Sequence, residues 1–229
     1  MRLQQFADSQ ALNSAFAAEI AFKLQQAIAE RGHAVLVVSG GKTPLPLFQQ
    51  LASTPLAWDK VTITLADDRF LPDSAADSNE RLVKSALLQK EASRATFVSL
   101  YAAADSAEAA VPALQQRIAA LGTFDVLILG MGEDGHTASL FPCCAELTAG
   151  LSPTAPDLLA TNPASAPYQR ITFSLRRLLQ ARSIYLHLVG PKKLQVLQQA
   201  AAGTDVSAMP IRAFIQNSEP ELTVMYAEQ

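Results

Sequence analysis

The chain has few of the residues that lock small proteins together. Only two cysteines occur among 229 residues, and they are neighbours, Cys143 and Cys144. Adjacent cysteines are poorly placed for an ordinary disulfide and match no zinc spacing, so neither a disulfide scaffold nor a structural zinc site is expected. A reducing cytoplasm is the simplest setting for such a chain. Charge is sparse too: 17% of the residues are charged, with a formal net charge of −3 and a pI near 5.6. The basic residues are scattered, so the footprint of a nucleic-acid binder is missing and any positive site must be local. No run of about 18 apolar residues occurs, and no membrane helix is expected. Nor is a signal peptide, since Asp8, Glu19 and Lys23 interrupt the N-terminal segment.

Apolar residues are plentiful, at 49%, ample for a buried core. Leu12, Phe16, Ile20, Leu24 and Ile28 recur every fourth residue and predict an amphipathic helix ended by Arg31-Gly32. Short apolar runs at 34–38, 61–65, 126–129 and 184–189 read as strands, the first and third as strands buried on both faces. Further strands are expected at 170–175 and around 222–225, and a helix over 106–121. Asp77 with Glu80 resembles a capping box that opens a helix running towards Leu88. Strands alternate with helices throughout. The expected fold is therefore one α/β domain over 1–229, an open, mostly parallel Rossmann-like sheet with helices on both faces. Residues 143–168, rich in proline and small residues, read as a long surface excursion serving as a lid or binding loop. The loops after residues 38, 65, 129 and 189 all leave carboxyl ends of strands, where open α/β sheets put their ligands.

The richest of these loops is Gly130-Met131-Gly132-Glu133-Asp134-Gly135-His136. Histidine, with an unperturbed pKa of about 6.5, suits proton transfer at neutral pH, so His136 is the candidate base. Gly130-x-Gly132-x-x-Gly135 matches the dinucleotide fingerprint literally. Two carboxylates, Glu133 and Asp134, would then face a pyrophosphate, and Pro142 follows too soon for the long helix that the fingerprint opens.

Ser39-Gly40-Gly41-Lys42-Thr43-Pro44 follows another strand and precedes a helix, with Thr43 as N-cap and Pro44 as first helical residue. Free amides at that turn make an anion site, most naturally for phosphate. A nucleotide P-loop fails there, because its first glycine would fall at Leu36. Asp67 and Arg69, at the end of the 61–65 strand, have no structural task in view and are functional candidates. Lys192 and Lys193 sit in the first turn of a helix, against its dipole, which a bound anion would turn to advantage; one of the two should face the site. His187 lies inside a strand and reads as structural.

Taken in order, Ser39–Pro44, Asp67-Asp68-Arg69 with Ser78-Asn79-Glu80, Gly130–Pro142, Arg170-Ile171-Thr172, and Gly190 with Lys193 resemble the glucosamine-6-phosphate isomerase/6-phosphogluconolactonase family. One departure is Asp68, where the family usually has Glu. The resemblance implies a phosphosugar substrate. The deaminases of the family carry a glutamate where this chain has Phe141, an acid–base group that isomerisation requires. The lactonase branch is therefore implied: hydrolysis of 6-phospho-D-glucono-1,5-lactone to 6-phosphogluconate, in the oxidative pentose phosphate pathway. On that reading His136 is the base and Asp134 orients it. Ser39, Gly40, Gly41, Thr43, Arg170 and Lys193 hold the phosphate, while Asp67 and Arg69 meet sugar hydroxyls or the phosphate edge. No cofactor is expected, and no metal, since His136 and Asp134 lack further ligands at zinc spacing. Nothing in the sequence specifies an oligomer, and a monomer is compatible with it.

Overall fold

The computed structural model describes residues 1–229. Seven strands form one sheet in the order Arg2–Phe6 (β1), Leu222–Ala227 (β10), Ile184–Val189 (β9), Val126–Leu129 (β6), Ala34–Val38 (β2), Val61–Leu65 (β3) and Thr96–Val98 (β5). Every neighbouring pair is parallel. The continuous apolar runs have the expected cause: β2, β6 and β10 are buried at every position, as strands covered on both faces must be. From β2 the chain steps outward to β3 and β5, then returns to β6 on the other side of β2 and continues to β9 and β10. The order therefore reverses between β2 and β6. Val38 pairs with Ile128 there, so the loops that follow these two strands leave side by side. Such a switch point is where a crevice opens in this class of sheet.

Ser9–Arg31 (α1) packs against β1, β2, β6 and β10. Asp8 caps it by accepting from the Ala11 amide at 2.8 Å, and Gly32 ends it at φ 79°. Leu12, Phe16, Ile20 and Leu24, four of the five residues of the fourfold pattern, are fully buried, and Ile28 is partly buried, each full burial contributing about 1.5–3 kcal/mol. The remaining helices are Leu45–Ala52 (α2), Asn79–Ala86 (α3), Ala107–Ile118 (α4), Leu147–Leu151 (α5), Leu175–Leu178 (α6), Pro191–Ala201 (α7) and Arg212–Gln216 (α8). None is long and apolar enough to cross a membrane.

A second, smaller sheet consists of Asp67–Arg69 (β4), Arg170–Phe173 (β8) and Leu158–Thr161 (β7), all antiparallel. It changes three expectations. The charged segment after β3 is a strand rather than a loop. The 170–175 strand belongs to this sheet and not to the main one. Residues 143–168 are not a plain surface excursion, because they carry α5 and β7, with Leu147 and Leu158 buried. β1 was not foreseen either; it is an edge strand whose polar sequence shows no buried run.

Two helix starts also differ. Pro44, not Thr43, occupies the cap of α2, and no side chain caps that helix. At α3 no capping box forms. Ser78 is the N-cap and accepts from the Arg81 amide at 3.3 Å, while the Asp68 carboxylate accepts from the amides of Asn79 and Glu80 at 2.8 and 2.9 Å. Glu80 turns instead to Lys84, at 2.7 Å.

Candidate functional site

At the switch point lies a cavity of about 310 Å³, at the small end of the range for ligand pockets. The sequence candidates Ser39, Gly40, Gly41 and Thr43 enter it from the β2–α2 turn, and Asp67 and Arg69 from β4. His136 comes from the glycine loop after β6, Arg170 from β8, and Lys193 from α7. Asp134 alone lies outside. It borders an adjoining, more open cavity of about 530 Å³ that shares Arg69, His136, Phe141 and Arg170 with the first.

The glycine loop is closed on itself. The Gly132 amide donates to the His136 carbonyl at 2.9 Å, and the Thr137 hydroxyl donates to the Gly130 carbonyl at 2.8 Å. A Cβ on Gly132 would stand 2.1 Å from the imidazole Nδ1 and 2.5 Å from the Asp134 carboxylate, so only glycine lets this pair fold back over the loop. Nδ1 of His136 lies 2.6 Å from Oδ1 of Asp134, which also accepts from the His136 amide at 3.1 Å. An ionised carboxylate only accepts, so beside it the neutral imidazole is the tautomer with the proton on Nδ1 and the lone pair on Nε2. The imidazole is stacked on Phe141, with centroids 3.9 Å apart and planes inclined by 24°.

The same cavity also gathers cations. Arg69 and Arg170 are direct partners in the β4–β8 ladder. Neither forms an ion pair, and the Nε of each is buried without a partner. Their other bonds are to carbonyls: Arg69 donates to Asp77 at 2.5 Å, and Arg170 to Pro167 at 3.0 Å. Burial holds the Arg170 guanidinium below its ordinary pKa, so it is a cation short of solvation. Of the two lysines, Lys193 faces the cavity and donates to the Met131 carbonyl at 2.8 Å, whereas exposed Lys192 pairs with Glu133 at 2.6 Å. The α2 N-terminus, without a capping side chain or an acid in its first turn, adds to the positive field.

Several residues of the site were not among the sequence candidates for it. Asn79 borders the cavity with its carboxamide under Gly40, where a Cβ would come within 2.0 Å of Oδ1. Fully buried Ser139 donates its hydroxyl to Asp67 at 2.5 Å and so fixes one carboxylate oxygen. His187 borders the cavity as well. It is buried edge-on against Phe16, centroids 5.5 Å apart, with both ring nitrogens unpartnered, and burial pushes its pKa down to about 4. No helix follows the glycine loop before α5, which removes the dinucleotide reading of its three glycines.

The family model described as glucosamine-6-phosphate isomerases/6-phosphogluconolactonase matches residues 7–224. A 6-phosphogluconolactonase from Pseudomonas putida is 43% identical over 223 residues, covering 95% of this chain and 90% of its own. One from Rhizobium meliloti is 44% identical over 224 residues, covering 97% of both. Among solved structures, a 6-phosphogluconolactonase from Shewanella baltica superposes with a TM-score of 0.97 at 46% identity, over 99% of this chain and 97% of its own. With its reversal point, its ordered loops and these near full-length matches, the chain belongs to the glucosamine-6-phosphate isomerase/6-phosphogluconolactonase family.

Proposed function

We propose that the chain hydrolyses 6-phospho-D-glucono-1,5-lactone to 6-phospho-D-gluconate, with His136 as general base. Lactone hydrolysis is the activity named for each relative above. The observation that carries the catalytic part is one cavity bordered both by a histidine with a free Nε2 and by three cations without acidic partners, Arg69, Arg170 and Lys193. A small molecule with an electrophilic carbonyl at one end and a phosphate dianion at the other satisfies both.

In this reading Nε2 of His136 takes a proton from water as the water oxygen bonds to C1. Collapse of the tetrahedral intermediate breaks the bond from C1 to the ring oxygen, and the imidazolium returns the proton to that oxygen. The product is the open-chain hydroxy acid, and the imidazole is regenerated. Asp134 holds the ring by Nδ1 and steadies the transient imidazolium. Arg170, Lys193, Thr43, Ser39 and the amides of Gly40 and Gly41 take the phosphate. Asp67 meets the sugar hydroxyls with the oxygen that Ser139 leaves free, and Arg69 lies between the two groups. The same reading takes residues 1–229 as one domain, working in the cytoplasm without cofactor or metal.

Phe141 argues against deaminase chemistry, since a phenyl ring has no proton to exchange in an aldose–ketose isomerisation. The test generates the lactone in situ with glucose-6-phosphate dehydrogenase and follows acid release above the uncatalysed rate. Wild type should turn over, and should release no ammonia from glucosamine 6-phosphate. His136→Ala should lose roughly 10²–10⁴ in kcat while still being stabilised by 6-phosphogluconate. Stabilisation of wild type by the product without any turnover would mark a sugar-phosphate sensor and overturn the proposal.

A further inference from the structure

We infer that Phe141 is a positioning residue for His136, fixing the plane of an imidazole that Asp134 alone leaves free to swing. The inference rests on the reading of His136 as base. Its ground is the support around that ring. The only side-chain hydrogen bond of the imidazole is the one Nδ1 donates to Asp134, two residues away on the same loop, and that carboxylate is 41% exposed. With the tether at Cγ, that one bond at Nδ1 fixes the position of the ring edge and leaves a tilt of the ring plane open. Phe141 removes that freedom by lying against the imidazole face at 3.9 Å and 24°.

Phe141 is itself well held. It is 5% exposed, follows fully buried Leu140, precedes Pro142, and accepts from the Cys144 amide at 3.1 Å through its carbonyl. The Arg170 guanidinium stands 5.8 Å from the same ring. Phe141 therefore touches the base and also neighbours a cation assigned to the phosphate, and it borders both cavities. Those two groups must meet the same substrate, and a rigid aromatic near both fixes the base relative to the cation.

Kinetics of Phe141→Leu and Phe141→Tyr, each in wild type and in His136→Asn, test this. Leucine keeps an apolar side chain but offers no flat face; tyrosine keeps the ring. Phe141→Leu should lower kcat roughly ten- to hundredfold, the scale of a small misplacement, with KM within about twofold of wild type. Phe141→Tyr should retain most of kcat. In the His136→Asn background Phe141→Leu should change the residual rate little, because the residue it positions is already gone. Should Phe141→Leu fold poorly, Phe141→Met serves the same comparison.

The inference is overturned if Phe141→Leu keeps kcat within twofold, if tyrosine fares no better than leucine, or if the residual His136→Asn rate falls by the same factor as wild type. A wild-type rate in His136→Asn itself would instead sink the reading of His136 as base, so the two failures are separable.

Discussion

Arg69 and Arg170 stand directly opposite each other across the β4–β8 ladder, and neither has an acidic partner within ion-pair distance. Like charges facing across a strand pair cost stability, and here both guanidinium Nε atoms are buried without partners as well. The arrangement is expensive when empty and favourable when an anion sits between the two. Inorganic phosphate or 6-phosphogluconate should therefore stabilise the protein by about 2.7 kcal/mol at a hundredfold excess over Kd. Arg170→Met should abolish most of that shift in melting temperature and raise KM about ten- to hundredfold, the loss of a charge-assisted bond. Its kcat should change less than its KM. A variant melting as far upward with phosphate as wild type would contradict the assignment.

Asp134 offers a different separation. Because its hydrogen bonds go to His136 alone, at Nδ1 and the backbone amide, Asp134→Asn should leave phosphate-dependent stabilisation intact. The amide can still bond to Nδ1, but its NH₂ favours the wrong tautomer and no longer balances an imidazolium. Loss of kcat by roughly 10² or more is expected, with KM nearly unchanged. Steady-state kinetics beside a thermal-shift titration with 6-phosphogluconate distinguishes this from a general loosening of the loop.

Ser139, in the loop after β6, bonds to all three strands of the small sheet at the site. Its hydroxyl donates to Asp67 at 2.5 Å, its amide donates to the Thr172 hydroxyl at 3.2 Å, and its carbonyl accepts from Thr161 at 3.2 Å. Ser139→Ala would leave a buried carboxylate oxygen without its donor. A loss of about 1–3 kcal/mol in urea unfolding is expected, with KM raised because Asp67 then has no fixed orientation. An unchanged urea midpoint would show that the bond contributes nothing net.

The main sheet was readable because its strands are apolar at every position, and runs such as Val126–Leu129 leave little alternative. Loop composition likewise pointed to the ends of β2 and β6, since Gly40 and Gly132 are places where a Cβ meets a side chain. What stayed hidden depends on pairing between segments far apart in the chain. Three charged residues, Asp67-Asp68-Arg69, form a strand only because β8 pairs with them, and no local pattern shows that Arg69 will face Arg170. Phe141 could be read only as lacking an acid; its stack on His136 depends on how the glycine loop folds back. The N-terminal strand β1 stayed hidden because an edge strand need not be apolar.

His187 makes the last expectation, one of acid stability. Burial pushes its pKa from 6.5 down to about 4, and neither ring nitrogen has a partner. Below pH 6.5 the unfolded chain takes up a proton that the folded protein refuses, so this group lowers stability as pH falls towards 4. Asp68 acts in the other direction. Burial raises it from 3.8 to about 7 against the opposing pull of the Asn79 and Glu80 amides, so between pH 7 and 3.8 the folded state binds the extra proton and gains stability. Between pH 7 and 5 each effect is on the order of 2 kcal/mol, and the two act in opposite directions. His187→Leu should remove one of them, gaining about 2 kcal/mol relative to wild type on acidification from pH 7 to 5. Asp68→Asn should lose a similar amount over the same range. Urea unfolding at the two pH values measures both differences, and parallel behaviour of all three proteins would show that neither group is held away from its ordinary protonation state.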